Sequence, residues 1–76
     1  MRFFDRVRDI LYERNISIAK FEKDTGIQRQ FFYKNRNVKG HRKATIMAIA
    51  YYFRIPVEEL ICGTDAEATW YGDRDI

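Results

Sequence analysis

The sequence predicts an all-α fold: one compact domain of five short helices. Three observations carry that reading. Apolar residues recur at i, i+3, i+4 and i+7 along several short stretches, the period of one helix face. Capping residues, glycines and a proline punctuate those stretches. Strand-like residue types occur only in Phe31-Phe32-Tyr33 and Tyr51-Tyr52-Phe53, both short and set in helical context. With 76 residues, 46% of them hydrophobic and 16% aromatic, the chain has material for a single packed core.

The elements follow in order. Phe4, Val7, Ile10 and Leu11 form one stripe, with Phe3 beside it and Arg6, Asp9 and Glu13 opposite. This gives a first helix over about 3–14, ended near Asn15. Ser17 is a good N-cap for a second helix over about 18–24, anchored by Phe21. Gly26 follows where a left-handed residue stops a helix cheaply, and Ile27 tucks inward at the turn. Residues 28–36 read as a third helix with Phe32 buried and Gln28, Arg29, Gln30, Tyr33, Lys34 and Arg36 exposed.

Residues 37–41 form a loop around Gly40. Ile46, Ile49, Ala50 and Phe53 give the core stripe of a fourth helix over 44–53; Tyr51 and Tyr52 adjoin it, with packing expected and one of the two rings half exposed. Arg54-Ile55-Pro56 breaks that helix. Pro56 opens a fifth through Leu60, with Glu58 and Glu59 at its positive end and Gly63 as its stop. The domain thus spans 1–63, and 64–76 reads as a C-terminal tail without a clear period. Trp70 and Tyr71 stand out in that tail: they fold back, dimerise the chain or are disordered.

Composition removes several classes of function. One Cys and one His supply neither an internal disulfide nor a multi-cysteine zinc site, so no metal is expected. No apolar run approaches the roughly 20 residues of a membrane span, and Met1-Arg2-Phe3-Phe4-Asp5 lacks the long apolar stretch expected of a signal peptide. The expected location is cytoplasmic. The four glycines are scattered, with no phosphate loop and no implied cofactor. No acid–base or nucleophile pair stands out, so no catalytic residue is assigned. His41 reads as a solvated or phosphate-adjacent loop residue, and Cys62 as a small residue at the core edge.

Charge is polarised along the chain. Arg29, Lys34, Arg36, Lys39, Arg42 and Lys43 fall within 28–43 with no acid among them. From Glu58 onward, Glu58, Glu59, Asp65, Glu67, Asp73 and Asp75 face only Arg74. The formal charge of +3 therefore hides a basic block suited to a polyanion, with a solvated basic face as the plainer alternative.

A short helix, a tight glycine turn and a helix rich in Gln, Arg, Lys and Asn make the geometry of a helix-turn-helix reader. Gln and Asn pair with adenine, Arg with guanine, and the following Lys and Arg neutralise phosphates. Ile16-Ser17 opens helix two, Phe21 is its core residue, and Gly26-Ile27 makes the turn. Phe32, Ile49-Ala50, Phe53-Arg54-Ile55-Pro56 and Leu60 follow in order. Over about residues 4–63 this series resembles the phage-repressor and Cro-like helix-turn-helix family, the lambda-repressor-like domains.

The resemblance implies sequence-specific binding of operator DNA, usually as a dimer, in a transcriptional switch. It places Gln28, Arg29, Gln30 and Tyr33 nearest the base edges. Ser17, Lys34, Arg36, Asn37, Lys39, Arg42 and Lys43 fall nearer the phosphates. A homodimer would have to use helix five and the tail.

The chain also departs from the family pattern. Ile18 stands where Gln is common, and Glu22 where a small Ala packs on the recognition helix. A carboxylate there must point outward or find a cation, with Arg36 or Arg29 as candidates. Phe31 and Tyr33 add aromatic surface that touches thymine methyls or a protein partner. Two functions stay open: an operator-binding regulator, and an antirepressor that masks the DNA-binding surface of a partner repressor.

Overall fold

The computed structural model describes residues 1–33 and 42–72. Among them every regular element is a helix, with no strand. The order is α1 (Phe3–Glu13), α2 (Ile18–Thr25), α3 (Gln30–Tyr33), α4 (Lys43–Phe53), α5 (Val57–Ile61) and α6 (Ala66–Gly72).

Each helix buries the stripe that its spacing dictates. Phe3, Phe4, Val7, Ile10 and Leu11 of α1 are buried, as are Ile46, Ile49, Ala50 and Phe53 of α4. α1 packs on α2, α3 and α5, while α4 packs on α2, α5 and α6. Phe21, fully buried, lies where these layers meet. Its ring is edge-on to Phe32 at 5.7 Å and to Tyr52 at 5.3 Å, and stacked on Phe53 at 6.1 Å. Offset and edge-on rings satisfy the aromatic quadrupole while filling the core.

Helix ends are closed by side chains and by left-handed residues. Asn15 and Arg54 both adopt φ 57°, reversing the chain after α1 and α4. Arg14 Nη1 donates to the Phe53 carbonyl at 2.7 Å, satisfying one orphan acceptor at the end of α4. Pro56 is the N-cap of α5, one position before its first helical residue.

Beyond residue 63 the structure departs from the expected tail and from a count of five helices. Thr64 is buried, and its hydroxyl donates to the Ile61 carbonyl at 2.7 Å while accepting from Ala66 N at 3.1 Å. These bonds turn the chain into α6, whose Ala66 is fully buried. Trp70 packs against the core, so of the three fates open to it the described structure has the fold-back; Tyr71 is 59% exposed. Two smaller expectations also change. Tyr52 packs as expected, while Tyr51, the ring of the pair left outside, is 85% exposed and not half exposed. Cys62 is exposed, because α5 turns Leu60 and Ile61 into the core immediately before it.

Candidate nucleic-acid interface

The site is built from α2, the turn and α3. Ser17 Oγ accepts from Lys20 N at 3.0 Å, capping α2. Gly26 ends α2 with φ 78°, and its N–H donates to the Glu22 carbonyl at 2.8 Å. Thr25 Oγ1 donates to the Phe21 carbonyl at 2.8 Å and accepts from Ile27 N at 3.1 Å. The turn is therefore held by a left-handed glycine and a threonine clamp. Both act on the angle at which α3 leaves α2.

The next helix opens by i→i+3 bonds. Phe31 N donates to the Gln28 carbonyl at 3.2 Å, and Phe32 N to that of Arg29 at 3.0 Å. Gln28 and Arg29 thus lie in the turn before α3, not inside the helix as the spacing had suggested. Phe32 is the anchor, buried edge-on to Phe4 at 5.2 Å as well as to Phe21. With that ring inward, Gln28, Arg29, Gln30 and Tyr33 are all exposed. The Gln30 side-chain amide donates to the Gln28 side-chain carbonyl, so the two glutamines form one polar unit. Phe31, 38% exposed, stacks on Phe4 at 5.5 Å and 16°, which covers one face of its ring. Tyr33 is 65% exposed.

Glu22 is paired with Arg29. Its Oε2 accepts from the Arg29 backbone N–H and its Oε1 from Arg29 Nε, each at 3.0 Å. The backbone bond, then the side-chain bond, hold the Glu22 carboxyl below its ordinary value. Of the two cations named from the sequence, Arg29 is thus a partner in the structure. The sequence leaves Glu22 pointing outward or paired with one of these cations, and the structure has the Arg29 pair. The signal was there: an acid four residues before the turn glycine and an arginine three residues after it.

The N-terminus of α4 forms a cationic element. Arg42 is its N-cap, Lys43 its first residue, and no acid lies in its first turn. Two cations beside the positive end of a helix dipole are unfavourable to the helix alone and favourable to an anion. Lys43 Nζ lies 5.7 Å from the Trp70 ring centroid, within cation–π range. Lys34, Arg36, Asn37 and Lys39, expected near phosphates, lie outside the described residues, as does His41. Among the described residues, no group of three or more His, Cys, Asp or Glu side chains is placed to hold a metal ion. No described helix is long and apolar enough to cross a membrane.

A protein-family model for the Cro/C1-type HTH DNA-binding domain matches residues 6–62. The match contains α2, α3, α4 and α5 entire, with the turn and the cationic start of α4. No curated protein and no solved structure matches the chain.

Proposed function

The chain belongs to the Cro/C1-type helix-turn-helix DNA-binding family, and from that premise we propose that it is a transcriptional repressor of Cro-like type. It docks α3 in the major groove of an operator. The observation that carries this reading is the exposed row Gln28, Arg29, Gln30 and Tyr33, held outward by the buried Phe32. These residue types carry the hydrogen-bonding groups that read base edges. Ser17, Arg42 and Lys43 contact the flanking phosphates, joined by Lys34, Arg36, Asn37 and Lys39. As a homodimer, the protein reads two half-sites about 34 Å apart, one helical turn.

The test is a binding titration against the promoter DNA beside its own gene, at two salt concentrations, with a shuffled duplex as control. A preference of about 10³ or more for the promoter supports an operator-binding regulator. Equal, weak and steeply salt-dependent binding to both duplexes refutes it.

A second reading draws on Phe31 and Tyr33, whose exposed rings adjoin the reading surface. In that reading the chain is an antirepressor, and these rings dock on a partner repressor. Phe31→Ala and Tyr33→Ala would then abolish its ability to displace a neighbouring repressor from DNA. Retained displacement by both variants excludes this reading.

A further inference from the structure

We propose that Glu22 is a positioning residue for base recognition: it fixes the Arg29 guanidinium so that its free end reads a guanine. The inference deepens the operator-binding reading and rests on it.

The carboxylate holds Arg29 at two points. Oε2 takes the backbone N–H and Oε1 takes Nε, both at 3.0 Å. The first bond satisfies a donor at the opening of α3, where N–H groups lack helical partners. The second restrains a side chain that otherwise loses considerable rotamer freedom on binding. Arg29 is 56% exposed at its side chain even so, and the pair lies at the surface.

The choice of nitrogen matters. An arginine presents paired N–H groups either along its Nε edge or at its Nη1/Nη2 end. Glu22 occupies Nε, so the end remains as the fork. Guanine offers O6 and N7 to such a fork in the major groove. Adenine, with one acceptor and one donor there, does not match it.

Charge reinforces the assignment. Glu22 and Arg29 together are neutral, so the pair adds little to attraction by phosphates. Arg29 is thereby separated in role from Arg42 and Lys43, which have no acid in their helical turn. Its contribution falls on discrimination between sequences. A carboxylate that merely sat near DNA would act differently, weakening all duplexes alike by repulsion.

The two cases give opposite results in one experiment. The full chain is titrated against its selected operator and a panel carrying single base-pair changes. Wild type is compared with Glu22→Gln, Glu22→Ala, Arg29→Ala and the Glu22→Ala/Arg29→Ala double variant. Each is checked for an unchanged circular dichroism spectrum and melting curve.

The expected result is loss of about fivefold or more in preference for guanine at one base pair in both Glu22 variants, with affinity for shuffled DNA equal or higher. The double variant loses no more preference than Arg29→Ala, because the two residues act as a unit. In the free protein, the Arg29 Nε–H resonance exchanges slowly in wild type and quickly in Glu22→Gln. Glu22 variants that bind every duplex more tightly with preference intact overturn the proposal and leave operator binding standing. A wild type that prefers no duplex over shuffled DNA overturns the operator reading itself, and the proposal with it.

Discussion

Asp65 Oδ1 accepts a hydrogen bond from the backbone N–H of Phe3 at 2.9 Å, although the two residues are 62 positions apart. Phe3 is the first residue of α1, and Arg2 at its N-cap makes no side-chain capping bond. The Asp65 carboxylate thus supplies from the far end of the domain what an N-cap side chain supplies locally. Two further bonds flank it: Asp65 N to the Met1 carbonyl at 3.0 Å, and Met1 N to the Gly63 carbonyl at 3.2 Å. The segment after α5 therefore closes the N-terminus of α1 as well as covering α4.

That clasp makes a stability prediction. Asp65→Ala removes a capping acceptor and should lower unfolding free energy by about 1 kcal/mol. Truncation after Gly63 should cost more, since it also uncovers the core around the buried Ala66. Urea denaturation of the three proteins checks this. Equal midpoints for the truncated and full chains would contradict an integral α6.

Phe21 and Tyr51 offer a contrast between two large aromatic residues. Phe21 is fully buried among three rings, whereas Tyr51 is 85% exposed. Phe21→Ala should cost about 3–5 kcal/mol, a large fraction of the stability of a small domain. Tyr51→Ala should stay within about 0.5 kcal/mol. The same denaturation experiment reads both.

These residues also show what the sequence makes legible. The stripes on α1 and α4 are regular, bulky and local, so spacing alone finds Val7, Leu11, Ile46 and Phe53. Gly26 announces the turn because its conformation requires glycine. α6 has no such mark. It is seated by Ala66, a small residue, and begun by hydroxyl bonds from Thr64, neither of which produces a hydrophobic period. Its tie to Phe3 is non-local, and helical spacing carries no information about it. At the candidate site the exposed Gln28, Arg29 and Gln30 follow from the burial of Phe32. The hold of Glu22 on Arg29 is legible in part: the sequence names Arg29 beside Arg36 as its candidate cations, while the two-point geometry depends on the angle at which α3 leaves α2.

Gly26 gives a backbone prediction free of packing. A Cβ added there meets nothing within 4 Å, so the penalty comes only from the positive φ. Gly26→Ala should therefore cost about 1–2 kcal/mol, the price of a left-handed non-glycine residue. Thermal melting checks it, and an unchanged melting temperature would show that the turn adopts another conformation.

At the start of α4, Arg42→Ala should weaken binding to operator and shuffled DNA by similar factors. It should also reduce the slope of log affinity against log salt by about 1, the signature of one lost phosphate contact. Arg42 is exposed and makes no side-chain cap bond, so little change in folding is expected. A sequence-selective loss with the slope intact would assign Arg42 to base reading instead.

The last prediction concerns pH and joins α2 to α4. Tyr52 Oη donates to Asp24 Oδ2 at 2.8 Å, and Lys20 Nζ lies 3.1 Å from the same oxygen. The Tyr52 bond first, then the Lys20 bond, hold the Asp24 carboxyl below its ordinary value. Burial first, then the Asp24 bond and charge, raise the Tyr52 phenol above its own.

The signs differ for the two groups. A depressed carboxyl stabilises the fold above its unfolded value, and that contribution is lost as pH falls through the lower folded value. A raised phenol stabilises below its unfolded value, and its contribution is lost as pH rises through the higher folded one. Asp24 thus weakens the α2–α4 contact at the acid end and Tyr52 at the alkaline end. Glu22, depressed by its bonds from Arg29, adds to the acid loss. Tyr52→Phe removes the largest influence on Asp24, so the Asp24 titration should move upward while that of Glu22 stays in place. Carboxyl carbon shifts followed by NMR through the acid range separate the two residues. Coincident Asp24 curves in wild type and Tyr52→Phe would mean that the phenol does not hold this carboxylate in solution.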